Sequence, residues 1–188
     1  MARAKTSRRS PAVFHQEQAV ADGCVVACVC ILQRWLGVDP DEGAIRRDLE
    51  PAAGLRLAAR ITDWKFRYLD WDKSEERMLL DAYLGQGTWL MVDVYPGPMT
   101  MHHERHPPAA KSRFGALMRR SPEDIHKRED LSRRIPQHPH HAIVLVESFT
   151  GGYRYLDPWY PREGQPLSIS RPDFARIWTG QVVIPQKS

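Results

Sequence analysis

Apolar residues in the first half of the chain follow the spacing of helices. Residues 24–36 (CVVACVCILQRWL) are apolar on most sides and are followed by Gly37, which predicts a buried helix ending at that glycine. Asp39-Pro40-Asp41-Glu42 offers an N-cap, a proline at the first helical position and an acidic first turn, so a second helix is predicted up to Pro51. Further elements are predicted as helices at about 53–62 and 74–84, with a short strand at about 65–70 between them.

From Thr88 the pattern becomes that of strands. Residues 88–94 (TWLMVDV) are rich in aromatic and β-branched side chains with partial alternation, which is typical of a half-buried strand. HAIVLVESFT (141–150) and YRYLD (153–157), separated by Gly151-Gly152, predict a β-hairpin. A final short helix opening at Ser170-Arg171-Pro172 and a closing strand at 181–185 (QVVIP) complete the chain. Early helices and late antiparallel strands predict an α+β domain.

Residues 96–140 interrupt this pattern. They hold seven prolines and six of the eight histidines, and only one amphipathic helix is predicted there, from Ser121 to Arg134. We interpret them as an irregular, exposed insertion that forms a lid or exosite over a cleft. The predicted organisation is a flexible basic arm at 1–14 and a single domain at 15–188 that carries the insertion at about 96–140.

Length and composition are those of an ordinary globular protein. The 188 residues can bury a core without a disulfide or metal. The 27% of charged residues is ordinary, and six Trp, six Tyr and five Phe supply apolar anchors, so disorder does not fit most of the chain. No window approaches the roughly 18 to 20 apolar residues of a membrane span. The basic N-terminus leads into Ser10-Pro11 and not into an apolar signal segment. These features predict a cytoplasmic protein without a membrane partner.

The net charge of +4 is unevenly distributed. Residues 1–10 carry four bases and no acid, and residues 111–134 carry eight bases and four acids. The remainder therefore has 15 bases and 19 acids, a net charge of −4. Basic segments favour an anionic partner, but the interleaved acids and the lack of a recognised motif argue against nucleic-acid binding.

The three cysteines lie within seven residues and carry the first sign of chemistry. An odd number of cysteines at this close spacing does not suit a set of disulfides and indicates free thiols in a reducing compartment. Cys24 falls in the first turn of the predicted helix, where unpaired amides and the helix dipole stabilise a thiolate. Cys28 and Cys30 fall in the apolar helix body, where we expect them to be core residues.

A nucleophilic thiol needs an imidazole to move protons and a third group to orient that imidazole. The predicted hairpin offers both, because His141 starts one strand and Asp157 ends its partner. His140 is adjacent, but successive strand residues face opposite sides, so only one of the two can face Cys24. We select His141 because the apolar run begins directly after it.

The oxyanion formed by attack on an amide requires a preplaced hydrogen-bond donor. Gln18, six residues before Cys24, can place its side-chain NH2 beside the backbone N–H of Cys24. Gln16 is the nearby competitor for this role.

Together these residues resemble the bacteriocin-processing (double-glycine leader) peptidases of the papain-like superfamily. The resemblance runs in order from about residue 15 to 185 and is carried by Gln18, Asp22-Gly23-Cys24, Ala27, Gly37, HAIVLV, LDPW and FARIWTGQVVI. It implies a papain-like α+β fold, with N-terminal helices packed on a C-terminal antiparallel sheet.

The same resemblance implies a cysteine peptidase acting on a peptide or protein, without a cofactor. Cys24 would be the nucleophile, His141 the general base and acid, Asp157 the orienting group and Gln18 the oxyanion donor. Many relatives have glycine directly after the nucleophile, whereas here Gly23 precedes it and Val25 follows.

Three alternatives stay open. A thioester on Cys24 could be resolved by an amine or arise in a deamidase, so the same triad could serve a deamidase or a transglutaminase-like acyl transferase. The domain could instead be an idle papain-like module that binds peptides. Finally, His102, His103 and His106 could join the cysteines in binding a metal, although their spacing is not that of a known four-ligand zinc site.

Overall fold

A six-stranded antiparallel sheet forms the centre of the molecule. The computed structural model describes residues 10–20, 23–49, 54–108 and 140–186. The strands are β1 (Lys65–Tyr68), β2 (Leu90–Val94), β3 (His141–Phe149), β4 (Gly152–Leu156), β5 (Leu167–Ser170) and β6 (Trp178–Ile184), in the spatial order β1-β6-β2-β3-β4-β5. The helices are α1 (Cys24–Leu36), α2 (Glu42–Leu49), α3 (Leu55–Thr62), α4 (Ser74–Gly85), α5 (Pro96–Arg105) and α6 (Arg171–Ile177), after a 3-10 helix at Pro11–Phe14.

The helices α1 to α3 cover one face of this sheet. The first nine residues of α1 are all buried, and they pack with Met91, Ala142 and Val144 of the sheet. The helix ends as predicted, because Gly37 adopts a left-handed conformation at φ 86° and its N–H bonds to the preceding turn. This packing fixes the direction of α1 and the position of its first residue.

The helices α4 to α6 cover the opposite face. Leu80 of α4, Met99 of α5 and Phe174 of α6 pack in a second core with alternate residues of the strands. Because both faces are covered, every residue of β2 is buried, which explains why its sequence alternates only partly.

The predicted hairpin is confirmed. Strands β3 and β4 pair antiparallel from Val144 opposite Leu156 to Phe149 opposite Gly152. The pairing brings the start of β3 close to the residues that follow β4. The predicted final helix is also present, and the Ser170 side chain accepts a hydrogen bond from the N–H of Asp173 to cap it.

Several boundaries differ from the predictions. Helix α2 starts at Glu42 because the carboxylate of Asp41, and not of Asp39, accepts the N–H of Ala44 at 2.9 Å. Strand β5 was not predicted, and β6 begins at Trp178, earlier than expected. Within the predicted N-terminal arm, Phe14 packs edge-on against Trp89.

The prediction that residues 96–140 are irregular and exposed is wrong for their first ten residues, which form α5. Pro96 and Pro98 lie in the first helical turn, where backbone N–H groups have no partner within the helix and proline costs little. Met99, His102 and His103 are buried. The helix predicted at 121–134 lies outside the described residues, as does the arm before Ser10. Within the described ranges, no helix has both the length and the apolar character needed to cross a membrane.

Candidate active site

The thiol of Cys24 lies at the N-terminus of α1. Cys24 is the first residue of the helix, after the N-cap Gly23, and its side chain is buried. Its Sγ lies 4.0 Å from the carbonyl oxygen of His140, at the start of β3. The first amides of a helix have no acceptor within the helix, so they can meet negative charge at this point.

The other two cysteines lie inside the core. Burial raises the pKa of the Cys28 thiol well above its ordinary value and that of Cys30 to about 11. Both are fully buried and stay protonated at neutral pH.

The imidazole of His141 and the carboxylate of Asp157 are joined by a buried hydrogen bond. His141 Nε2 donates to Asp157 Oδ1 at 2.8 Å, and the two residues are 1% and 0% exposed. The other ring nitrogen, Nδ1, is buried and has no hydrogen-bond partner among the described residues. Trp159 stacks on the imidazole with a ring-centroid distance of 3.7 Å and so covers this hydrogen bond.

The electrostatics of this pair favour the charged forms. Burial lowers the pKa of His141, but the negative charge of Asp157, the hydrogen bond to Asp157 and the interaction with Cys24 together outweigh burial and raise it to about 9. For Asp157, burial raises the pKa, but the charge of His141 and the hydrogen bond to it outweigh burial and hold the pKa below its ordinary value. At neutral pH the pair is therefore an imidazolium and a carboxylate.

Asp157 is held by its backbone as well as by its side chain. The N–H of Trp159 donates to Oδ1 at 2.9 Å, which fixes the carboxylate beside His141. The side-chain amide of Gln165 pairs with both the N–H and the carbonyl of Asp157, and His15 Nε2 donates to the same carbonyl at 3.0 Å. The orientation of the carboxylate is thus set by two separate parts of the chain.

His103 of α5 is a second histidine beside Asp157. Its Nε2 lies 3.5 Å from Asp157 Oδ2 and 2.9 Å from the Tyr155 hydroxyl, and its Nδ1 lies 2.8 Å from the Tyr160 hydroxyl. Burial lowers the pKa of His103 to about 4 despite the nearby carboxylate, so this ring is neutral at neutral pH.

Sequence reasoning missed His103 because it treated α5 as exposed. The spacing of Met99 and His103, one helical turn apart, was the available signal of a shared buried face. Trp159, although part of the LDPW motif, was not assigned to the site, and neither was His15, because nothing local in the sequence indicates that their side chains reach the pair.

Gln18 lies where the chain passes between Asp157 and α1. It is 3% exposed, its backbone N–H bonds to the carbonyl of Pro158 at 3.0 Å, and its side-chain Nε2 donates to the carbonyl of Val20 at 2.8 Å. The same carbonyl accepts the N–H of Gly23, so Gln18 is tied to the residue before the thiol. Gln16, the competitor, instead donates to Glu42 on α2.

His140 belongs to a separate pair. Its Nδ1 lies 2.7 Å from Asp93 Oδ2, and this hydrogen bond raises the pKa of His140. Asp93 also accepts hydrogen bonds from the side chains of Thr179 and Gln181. The structure therefore pairs His141, and not His140, with Asp157.

Comparison with known proteins identifies the fold. No protein-family model and no curated protein matches the sequence. Two solved structures resemble the chain along almost its whole length. The first is the peptidase domain of Streptococcus ComA, a bi-functional ABC transporter involved in quorum sensing, with 15% identity, a TM-score of 0.53 and coverage of 92% of this chain and 98% of that domain. The second is a putative C39-like peptidase from Bacillus anthracis, with 11% identity, a TM-score of 0.55 and coverage of 94% and 96%.

At sequence identities this low, structural similarity establishes the fold but not the reaction. The resemblance to bacteriocin-processing peptidases is confirmed at that level. This chain has the α+β fold of these two peptidase structures, with helices packed on an antiparallel sheet.

Proposed function

We propose that this protein is a cysteine peptidase that cleaves an amide bond of a peptide or protein through an acyl-enzyme on Cys24. The observation that carries the proposal is the buried hydrogen bond between His141 Nε2 and Asp157 Oδ1. It leaves Nδ1 as the ring atom able to exchange a proton with the thiol, whose contact contributes to the raised pKa of His141. Both structural neighbours are peptidases, which supports the same class of reaction.

In the first half of the reaction, Cys24 attacks as a thiolate paired with the His141 imidazolium. The Sγ forms a bond to the carbonyl carbon, and the carbonyl electrons move to the oxygen. The Gln18 amide and the backbone N–H of Cys24 stabilise that oxyanion. His141 then gives its proton to the leaving amine as the carbon–nitrogen bond breaks, which leaves a thioester on Cys24.

In the second half, the neutral His141 takes a proton from water. The water oxygen attacks the thioester carbonyl, the carbon–sulfur bond breaks, and the product leaves as a carboxylic acid that loses its proton to solvent. The thiolate and imidazolium are then restored, so the cycle closes without a cofactor.

Two further groups keep His141 in the required state. Asp157 holds the ring with its Nε2–H directed at the carboxylate, and Trp159 lies flat against the ring and restricts its rotation. We assign His103 as a positioning residue that supports the second carboxylate oxygen of Asp157. Oδ2 is buried and, within the described residues, accepts no regular hydrogen bond. His103 Nε2, at 3.5 Å, therefore offers this oxygen a polar neighbour that stabilises its position.

Mass spectrometry of a peptide library incubated with the full chain tests this proposal. We expect new peptides ending in free carboxylates, and no cleavage by the Cys24→Ala variant. The matched control is Cys30→Ala, which removes a buried thiol of the same helix and should cleave like the parent.

Cleavage that survives in Cys24→Ala would overturn the proposal, as would a parent protein that cleaves no library peptide. Adding a primary amine to the same reaction separates the alternatives. Products joined to the amine would assign acyl transfer in place of hydrolysis, and conversion of glutamine to glutamate without chain cleavage would assign deamidation.

A further inference from the structure

The histidines of α5 and of its C-terminal cap lie at two different places. His103 lies beside Asp157, as described above, whereas His102 and His106 lie near Asp173 at the start of α6. One possible ligand atom from each of these last three residues lies within 4.8 Å of the others. None of these three residues has a role in the proposed peptidase reaction.

The ring of His102 is fixed with one nitrogen turned to a carbonyl. Its Nε2 lies 3.3 Å from the carbonyl oxygen of Ser168, which can only accept, so Nε2 carries the hydrogen. The lone pair is therefore on Nδ1, which lies 3.9 Å from Asp173 Oδ2. Histidine ligands of metals characteristically donate their second ring N–H to a carbonyl or carboxylate in this way.

His106 is the C-terminal cap of α5, four residues after His102. Its backbone N–H bonds to the carbonyl of His102 at 2.9 Å, and the two ring centroids are 5.0 Å apart. Two histidines at this spacing present their rings on the same side of a helix, as in known zinc sites on helices. His106 is exposed, so its ring can turn toward a metal without disturbing the core.

Asp173 is positioned by the cap of α6. Its Oδ2 accepts a hydrogen bond from the Ser170 hydroxyl at 2.9 Å. Its other oxygen lies 3.8 Å from Arg176, whose side chain is 71% exposed and competes only weakly for the carboxylate. Arg105 interacts electrostatically with His102.

We propose that His102, His106 and Asp173 form a binding site for a divalent transition metal, with zinc as the expected ion. Two imidazole nitrogens and one carboxylate oxygen suit zinc, whereas calcium and magnesium take oxygen ligands. Zinc bonds of about 2.0–2.1 Å place ligand atoms roughly 3.4 Å apart in a tetrahedral site. The present spacing closes to that value through small side-chain rotations, chiefly of the exposed His106.

Such a metal would connect α5 to α6. Three protein ligands leave the fourth position to a solvent molecule, so the ion remains exchangeable. Binding to the folded state alone raises the thermal stability. Because α5 also carries His103, zinc would fasten the helix that supports Asp157.

Isothermal titration of the full chain with zinc chloride tests the site, with thermal unfolding as a second readout. Cys24 is first blocked with iodoacetamide, because a thiol and an imidazole can themselves bind zinc. We expect one zinc per chain and a Tm that rises with zinc. His106→Ala and Asp173→Asn should each weaken zinc binding by at least about tenfold and remove the rise in Tm.

The matched control is Glu104→Ala, which removes an exposed oxygen donor from the same helix and should keep both responses. The zinc-free Tm of the exposed His106→Ala variant should equal that of the parent, which separates loss of the ligand from loss of the fold. The proposal is overturned if the blocked parent binds no zinc, or if either ligand variant binds zinc as the parent does. Neither readout uses peptidase activity, so the site stands or falls separately from the proposed function.

Discussion

At the scale of single residues, one carboxylate lies beside two histidines that differ in charge. His141 and His103 are both buried beside Asp157, at 2.8 Å and 3.5 Å respectively. The nearer ring makes the short hydrogen bond, and its pKa rises to about 9. The pKa of His103 falls to about 4, because burial is the largest influence and the charged His141 adds repulsion. Asp157 thus holds one charged and one neutral imidazole.

The raised pKa of His141 predicts an alkaline limit to peptide cleavage. The imidazolium protonates the leaving amine, and it is lost as the pH rises through about 9. We expect kcat/KM for a cleaved peptide to fall over that range. Alkylation of Cys24 by iodoacetamide should not fall, because that reaction requires no proton donor. A kcat/KM that stays constant well above pH 9 would contradict the assignment of His141 as the acid.

Support of Asp157 by His103 predicts a difference between two substitutions. His103→Gln keeps an N–H able to reach the carboxylate, whereas His103→Leu removes it. We expect His103→Leu to lower kcat by about tenfold with little change in KM, and His103→Gln to retain most of the parent kcat. Steady-state kinetics on one peptide, at matched fractions of folded protein, measures both. Equal kcat values for the two variants would show that a polar group beside Asp157 Oδ2 is not the reason for any loss.

At the scale of elements, the turn between β3 and β4 places His141 and Asp157 together. Gly152 faces the neighbouring strand so closely that an added Cβ would overlap the carbonyl of Ile169. At Gly151 a Cβ would meet only the Phe149 ring at 3.1 Å, and that side chain is exposed and can move. The second glycine of the pair is therefore required by packing between strands.

This contrast predicts that Gly152→Ala lowers the free energy of unfolding by at least about 1–3 kcal/mol. Gly151→Ala, the matched control, should change it by no more than about 0.5 kcal/mol. Urea denaturation followed by circular dichroism measures both values. Similar midpoints for the two variants would contradict the close contact between β4 and β5.

Elements whose cause is local were predictable from the sequence. The helix α1 ends at Gly37 and the β3–β4 hairpin turns at its glycine pair, as their residues indicate. Helix α5 was not predictable in the same way, because a proline-rich composition hides a helix whose prolines lie in its first turn. Its stability comes from burial of Met99 against distant parts of the chain, which no local pattern reveals.

At the scale of the whole molecule, the candidate site forms where four separate segments meet. These are the stretch from His15 to Gln18, the start of α1, the start of β3 and the residues from Asp157 to Trp159. The order of motifs along the chain predicted Cys24, His141, Asp157 and Gln18 as site residues, and their proposed roles stay predictions. The stacking of Trp159 and the approach of His103 depend on packing between these segments, so only the folded structure shows them.

The central claim is that His141 activates Cys24, and the rate of alkylation tests it most directly. Iodoacetamide labelling of Cys24 is followed at neutral pH by peptide mass spectrometry, in the parent and in His141→Gln, with circular dichroism to verify that both are folded. An unassisted thiol is only a few per cent ionised at pH 7, so we predict at least about tenfold slower labelling in the variant. Labelling of the folded variant at the rate of the parent would show that the imidazole does not act on the thiol.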